Sequence, residues 1–495
     1  MAIDASQPES PGWWLQRLGK KILDEREGDD ERPGLDLLQR YADGCPPLPS
    51  VPGVDPREAH EWMKVARANW TGLVIDSMTE RMHVDGFRFG KASSKGKAKT
   101  ADEDANRIWQ ENSMDADADL VHYGAASQRR AFVLVEKGDD GRPVLTHETP
   151  RQVAVEHEQG NRRKLAAGMK LWRDDWTGQT RATLWTPDTI HYFTTKTERP
   201  NFAHVRTWDA MTLPSATDGS ASNELRAVPF GVFTNRRNRR PAGFAEHEDI
   251  LAIQDRINLS LINLIAAMRY GAFRQRWAAG LEVDEDPITG KKLEPFKLDI
   301  KSLWTVDDNE VKFGEFSATD LMPYVRAVES AVADLAAISR TPPHYLTGQI
   351  VNVSGDALKA AETGLVSKVR DRQRNFGESW ERVMRLAFTV LGDEERANAF
   401  DAETVWRDPE SRSISELADA AVKKDAAGVP WRQRMEDMGY TPQEIDRMEV
   451  DRAADALLAP TASVTPITDA NGKQPPATDP RATIGRGTGS DANAA

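Results

Sequence analysis

Apolar residues recur at spacings of three and four in three long stretches of the second half of the chain, the pattern of helices with one buried face. In residues 244–269, which open just after Pro241, the shared face carries Ile250, Ile253, Ile257, Leu261, Leu264 and Met268. Glu246, Glu248 and Asp249 fall in its first turn and Arg269 in its last, a placement that complements a helix dipole. Residues 317–338 repeat the pattern with Leu321, Val325, Val328, Val332 and Leu335. They stop at Thr341-Pro342-Pro343, because proline lacks an amide donor and constrains the residue before it. In residues 355–391 the stripe is Leu358, Leu365, Val369, Phe376, Trp380, Val383 and Ala387, with Gly364 and Gly377 as the places to bend. At ~1.5 Å per residue the first helix would be roughly 39 Å long and the third about 55 Å. The pattern fits a long rod and an ordinary helical core equally.

Residues 272–316, between the first two helices, read as strands and turns: Phe273-Arg274-Gln275-Arg276-Trp277, a Thr289-Gly290 turn, then 302–306 and 311–316. Such an insert leaves the flanking helices as antiparallel neighbours with a small knob at one end. The loop at 346–353 is short and uncharged, and Ser354 is placed to cap the helix after it.

The first half is more mixed. Residues 1–33 form a polar arm with Trp13-Trp14 and Lys20-Lys21, which suits a docking helix or a loosely held terminus. An amphipathic helix is predicted over 57–81, a strand over 83–89, a mobile loop over 91–100 and one or two short helices over 102–130. From Ala131 to Phe233 the pattern alternates as strands do, with turns at Asp140-Gly141, Thr177-Gly178 and Pro187-Asp188. Thr404-Val405-Trp406 reads as a returning strand, and short helices follow over 413–457 with starts at Ser415, Pro430 and Thr441-Pro442. The fold class is α+β. Beyond Ala459 there is no aromatic residue, and the composition predicts a disordered tail.

Length 495 suggests roughly three domains, and 39% hydrophobic residues suffice for real cores. Against 65 Lys and Arg stand 78 Asp and Glu, a formal charge of −13. A protein built to grip nucleic acid is basic, so this balance argues against gripping DNA while leaving room for letting it pass. Cys45 is the only cysteine, which excludes an internal disulfide and a multi-cysteine zinc site. The longest apolar run, 259–268, falls short of the ~20 residues that cross a bilayer, and no signal peptide is evident, so a soluble chain that engages no membrane is expected.

Catalytic motifs are missing. The nearest approach to a phosphate loop, residues 90–98, has one residue too many between its glycines and Ala98 where a hydroxyl belongs. His60-Glu61 and His147-Glu148 lack the second histidine of a zinc helix, and no serine sits in a G-x-S-x-G elbow. Asp174-Asp175 and Asp307-Asp308 sit beside turns as solvated acids do. No enzyme, cofactor or metal is expected. The sharpest charged cluster is Arg236, Arg237, Arg239 and Arg240. It reads either as a patch facing phosphate or another subunit, or as the partner set of Glu246, Glu248 and Asp249.

Several runs together resemble the portal proteins of long-tailed double-stranded DNA bacteriophages. They are Tyr41-Ala42-Asp43-Gly44 with Pro46-Pro47-Leu48-Pro49; Trp109-Gln110-Glu111-Asn112 with Met114-Asp115-Ala116; Thr234-Asn235-Arg236 through Gln254-Asp255-Arg256-Ile257-Asn258; the 273–277 run; Ser339-Arg340-Thr341-Pro342-Pro343-His344-Tyr345-Leu346; and Ser354-Gly355-Asp356-Ala357-Leu358-Lys359. No single run is diagnostic, but their order over residues 35–448 is specific.

The resemblance implies a homo-oligomeric ring, usually a dodecamer, at one capsid vertex of the virion, assembled in the host cytoplasm. Double-stranded DNA passes through it during packaging and ejection. It also implies a division of the chain: after the 1–33 arm, a wing over 34–241, stem helices over 242–271 and 317–341, a clip over 272–316, and a tunnel loop over 342–354. The long helix and a returning wing strand would take 355–412, a crown 413–458, and the tail 459–495. The clip, with Arg274, Arg276, Trp277 and Trp304, would dock the terminase large subunit and then the head-tail adaptor, while major capsid and scaffolding proteins surround the ring. Gly348, Gln349, Ile350, Val351 and Asn352 would lie nearest the DNA, with Gln349 and Asn352 as transient phosphate contacts. Twelve copies at −13 give about −156, a field that disfavours clinging to phosphates. The alternatives are a head or tail component that forms rings without conducting DNA, and a DNA-processing enzyme of the packaging machinery.

Overall fold

The computed structural model describes residues 3–47, 56–89, 102–272 except 198, 203, 215 and 217, 276–279, 312–315, 320–348, and 355–458 except 411. Helix α1 (Pro11–Glu27) begins where the Ser10 hydroxyl accepts from the Trp13 amide and ends at Gly28, whose φ of 75° turns the chain out of the helix. Residues 1–33 thus contain a docked helix rather than a loose terminus: Trp14, Leu15, Leu18 and Ile22 are buried against Met169, Leu171, Leu184 and Phe193 of a sheet. Helix α2 (Leu35–Ala42) follows. The single helix predicted over 57–81 is instead two, α3 (Pro56–Ala66) and α4 (Trp70–Thr79). The break falls at Asn69, whose side chain accepts from the Gly72 amide and donates to the Ala42 carbonyl, so a capped start outcompetes helix continuation.

Strand β1 (Val84–Arg88) precedes α5 (Glu103–Glu111) and α6 (Met114–Ser127), the two short helices expected. Then come β2 (Arg130–Lys137), β3 (Pro143–Glu148), β4 (Val153–Glu158), β5 (Asn161–Arg173), β6 (Thr180–Trp185), β7 (Thr189–Thr195), β8 (Asp209–Ala210), β9 (Ser220–Ser222) and β10 (Phe230–Thr234). All pairings are antiparallel. One sheet runs β10-β2-β3 and a larger one β4-β5-β6-β7-β8, with β9 also on β7. The three predicted turns join β2 to β3, β5 to β6 and β6 to β7.

The first long helix, α7 (Leu251–Ala272), starts later than its periodicity suggested. The amides of Phe244 and Glu246 donate to the carbonyls of Asn235 and Ala126, so residues 244–247 belong to the packing of the first half, and a 3₁₀ turn over Glu248–Ile250 leads into the helix. After it come β11 (Arg276–Ala279) and β12 (Lys312–Glu315), an antiparallel pair, and then α8 (Met322–Ser339), which starts at Met322 rather than at Ser317. The expected stop after α8 occurs at Arg340, in a left-handed conformation with φ 54°.

Short α9 (Pro343–Thr347) precedes α10 (Gly355–Leu391), helical without interruption through Gly364 and Gly377. Helix α11 (Glu394–Ala397) leads to β13 (Glu403–Trp406), which returns to pair with β1. Helix α12 (Ile414–Ala426) is capped by Ser413 in a reciprocal box with Glu416, two residues earlier than the expected start at Ser415. Helix α13 (Trp431–Asp437) follows at Pro430 as expected. A second unit begins at Gln443, and its described part lies in helix α14 (Pro442–Leu458).

Helix α10 forms the centre of the main core. Leu365, Val369, Phe376, Trp380, Val383 and Ala387 are fully buried among Phe87, Val121, Ala125, Val133 and Phe233. The Trp380 indole meets Trp109 and Phe233 edge-on at 4.8 and 4.6 Å, and its N–H donates to Nε2 of buried His122 at 3.0 Å. A side chain on Gly231 of β10 would sit 2.2 Å from Val383, so the sheet approaches this closely only because that position is glycine.

Candidate channel-lining helix pair and its basic root

Helices α7 and α8 pack on one another and carry the candidate site. Ile250, Ile257, Ala331, Val332, Leu335 and Ala336 are buried together with Val74, and Arg256 of α7 pairs with Asp334 of α8 at 2.6 Å. Because β11 leaves the end of α7 and β12 leads to the start of α8, the two helices run antiparallel. At the root, Gln254 makes four bonds. Its carbonyl accepts from the amides of Trp70 and Thr71, and its amide donates to the Ala68 carbonyl and to the Asn258 side chain. At the next residue, both Asp255 oxygens accept from the Tyr41 hydroxyl at 2.7 Å. These polar contacts pin the near end of α7 to the first half of the chain.

Apolarity increases toward the far end. The segment Glu248–Arg269 is long and apolar enough to cross a membrane, with a mean hydropathy of 1.3 in its most apolar window, yet only 28% of that window is buried. The sequence reading, which counted only an unbroken apolar run, missed this. Leu259 and Met268 on α7, and Met322 and Ile338 on α8, are exposed over 38 to 52% of their surfaces. Trp62, Met63 and Ala66 of α3 cover Ile262.

At the strand pair, Arg276 is in register with Glu315 and Trp277 with Gly314. Trp277 lies across its partner strand, where a side chain on Gly314 would come within 2.4 Å of the indole, and it keeps 40% of its surface exposed. The other expected clip residues, Arg274 and Trp304, and the 302–306 strand lie outside the described residues, as do the 91–100 loop, Ser354 and the tail. Gly348 closes α9 with φ 65° and its amide donates to the His344 carbonyl at 3.0 Å. Leu346 just before it is buried, and its carbonyl accepts from the Trp70 indole at 3.1 Å. The loop therefore departs from a fixed point at the root of the helix pair. Gln349, Ile350, Val351 and Asn352 lie outside the described residues.

The basic cluster engages the acids that follow it. Arg236 pairs with Asp249 at 3.2 Å, Arg239 pairs with the same carboxylate, and Arg240 stands 3.9 Å from Glu248. All three guanidinium groups lie over the Phe244 ring, at 4.9, 4.3 and 5.3 Å from its centre. Arg237 is exposed. Glu246 departs from the expected pattern by turning inward to Arg372 of α10 at 2.7 Å, with Lys368 at 4.0 Å, all buried. Burial by itself would raise the Glu246 carboxyl, but Arg372 and Lys368 outweigh it and hold it at about 2. Beside it, Arg129 clasps Glu248 with two bonds of 2.9 Å. Sequence reasoning missed Arg129, Lys368 and Arg372, because partners more than a hundred residues apart leave no periodicity to read.

Of these groups Arg236, Arg239, Asp249, Glu246, Lys368 and Arg372, joined by Arg340 and Arg374, line a cleft of about 730 Å³ between the basic loop, the end of α8 and the middle of α10. Cations outnumber acids there, against the balance of the whole chain. Among the described residues no three His, Cys, Asp or Glu side chains converge as they would around a metal ion.

A profile of phage portal proteins described as SPP1 Gp6-like matches residues 60–454. The chain belongs to the phage portal protein family. The portal protein of Mycobacterium phage L5 is 28% identical over 412 residues, which is 79% of each chain. That of Mycobacterium phage D29 is 28% identical over 403 residues, 78% of each. The family is one of structural phage proteins rather than enzymes, and the mixed helix and antiparallel sheet seen here agrees with its α+β fold.

Proposed function

We propose that copies of this chain close into a ring at one capsid vertex, with α7 and α8 as the stem around an axial channel for double-stranded DNA. The observation that carries this reading is the mismatch in α7. Its most apolar window suits a membrane interior, yet only 28% of that window is buried in its own chain, and its exposed apolar side chains need a cover that repeated neighbours in a ring would supply. The strand pair β11–β12 is then the clip, which docks the terminase large subunit during packaging and the head-tail adaptor afterwards. The loop leaving Gly348 is the tunnel loop, with Gln349 and Asn352 touching passing phosphates, and residues 413–458 form the crown. The formal charge of −13 per copy supports a conduit, since firm phosphate contacts would hold the duplex in place. Major capsid and scaffolding proteins are the surroundings of such a ring in the virion, and its assembly takes place in the host cytoplasm.

Electron microscopy and native mass measurement of the purified chain, alone and co-expressed with its capsid protein, test this. The expected result is an annulus, twelve copies by the family pattern, with an opening wide enough for duplex. A chain that stays monomeric under both conditions would sink the reading. Replacing Gln349 and Asn352 together by alanine should reduce the DNA packaged per head, and an unchanged amount would remove the phosphate role from that loop.

A further inference from the structure

The crest of α10 that faces away from its own core divides two clefts of opposite charge. Ser367 and Arg374, both exposed, line both of them. On one side lies the basic cleft at the end of α8, where six cations meet three carboxylates. Each of those carboxylates already serves two cations: Asp249 takes Arg236 and Arg239, Glu246 takes Arg372 and Lys368, and Asp371 takes Arg372 and Arg374. Arg340 is exposed and has no ion-pair partner among the described residues. Its base is fixed, because the buried Lys368 ammonium donates to the Ser339 carbonyl at 3.1 Å and ties the end of α8 to α10.

On the other side a groove of about 820 Å³ runs between α10 and β13. Its cations are already engaged, Lys359 by Glu416, Arg370 by Asp408 at 3.2 Å and Arg374 by Asp371 at 3.3 Å. Two of its acids are engaged as well, Glu362 by Arg81 at 3.3 Å and Glu410 by Arg412 at 2.8 Å. The remaining three are Glu378, Glu381 and Glu403. Glu378 is exposed, and Glu403 has only Arg88 at 3.9 Å, whose guanidinium is held closer by Glu436 at 2.9 Å. Burial holds the Glu381 carboxyl above the usual range, and Glu378 and Glu403 add to the shift against the Thr404 amide and Arg385. No cation among the described residues comes closer than 3.9 Å to any of the three.

We propose that the basic cleft of one copy receives the acidic flank of α10 of the next, with Arg340 facing Glu378 and the guanidinium groups around it facing Glu381 and Glu403. The contact is heterologous, since the two flanks differ, lie on either side of one helix crest and repeat head to tail, as a closed ring requires. The balance of charge favours a copy of this chain over a nucleic-acid strand: the cleft holds three more cations than acids, and the opposite flank holds three carboxylates without a close cation. The chain's −13 meanwhile disfavours lasting phosphate contact. The proposal rests on the ring reading above and adds to it a contact selected by charge, where the face of α7 offers apolar surface.

The test uses the full chain, with ring dissociation followed on dilution by native mass and sedimentation. Arg340→Glu and Glu378→Arg change exposed positions, so each should leave the melting of the unassembled chain unchanged while its rings fall apart at concentrations about tenfold or more above the parent's. Together they put opposite charges back across the interface, and rings of the double variant should persist nearly as the parent's do. Arg340→Gln, which removes the charge without reversing it, should fall between. Raised salt should loosen the parent rings more than the Arg340→Glu rings. Single reversals that leave dissociation unchanged, or a double variant as weak as the two singles combined, would overturn the contact while leaving the ring standing. So would normal rings that package less DNA with Arg340→Glu but not with Glu378→Arg, which would assign the cleft to phosphate. Absence of rings from the parent chain would instead refute the ring reading itself.

Discussion

Helices α10 and α7 are both long and both striped with apolar residues, but the chain treats them oppositely. Helix α10 finds cover within its own copy, and its stripe from Leu365 to Ala387 is sealed beneath β1, β2, β10 and α6. Helix α7 is anchored at one end by Gln254 and Asp255 and keeps Leu259 and Met268 in the open. Periodicity reports how much apolar surface a helix has. It does not report whether the cover comes from the same chain, and that difference separates a scaffold from an assembly element.

The comparison breaks if substitutions in the two helices have similar effects on the unassembled chain. The largest loss is expected for Trp380→Ala, which empties the centre of the core and removes the donor to His122. A large-to-small change at such a site costs about 3–5 kcal/mol, read by denaturant unfolding. Glu246→Gln comes next. It leaves Arg372 and Lys368 buried beside a neutral group, and breaking a buried ion pair from one side costs about 3 kcal/mol or more. A cost below about 1 kcal/mol would show that the network is open to water.

Acid should act in two windows. Burial pushes His122 down to about 3 and His247 to about 4, so the folded chain keeps both neutral while the unfolded chain protonates them near 6.5. Their contribution is complete above pH 6.5 and is lost as pH falls toward 4 and then 3, at up to about 1.4 kcal/mol per unit for each. Glu246, held at about 2, contributes fully above its unfolded value near 4.5 and is lost between there and 2. His122→Gln with His247→Gln should flatten the slope of stability against pH between 6.5 and 4.5, whatever their effect on its absolute level. An unchanged slope would mean that neither histidine is buried neutral.

Much of this architecture was legible beforehand because its signals are local. Proline at 342 and 343 and glycine in the turns at 141 and 178 act on their own backbone, and the stripe of α10 repeats every turn, so those boundaries fell where expected. Three features were hidden for a common reason. The break at Asn69 depends on the Ala42 carbonyl, the late start of α7 on Asn235 and Ala126, and the inward turn of Glu246 on Arg372, each a partner distant in sequence. The basic cluster was half legible: pairing with Glu248 and Asp249 was one of its two readings, whereas its stacking on Phe244 and the cleft it shares with α10 were in neither.

The smallest effect on stability is expected where the effect on assembly is large. Met268→Asp and Met322→Asp place a charge on surfaces that are 44 and 52% exposed in the single chain, where water already reaches them. Substitutions at such positions change folding stability by about 0.5 kcal/mol or less. In the proposed ring the same positions would lie under a neighbour, and a carboxylate there would have to lose its water without a partner. The unassembled variants should therefore melt with the parent while their rings fail to form or fall apart at concentrations where the parent's persist, read by native mass and sedimentation. Variants that melt early would place these residues in an internal core, making α7 a second α10. Variants that melt normally and still form full rings would leave the apolar face without a partner among its own copies, and the stem would then have to close through other contacts.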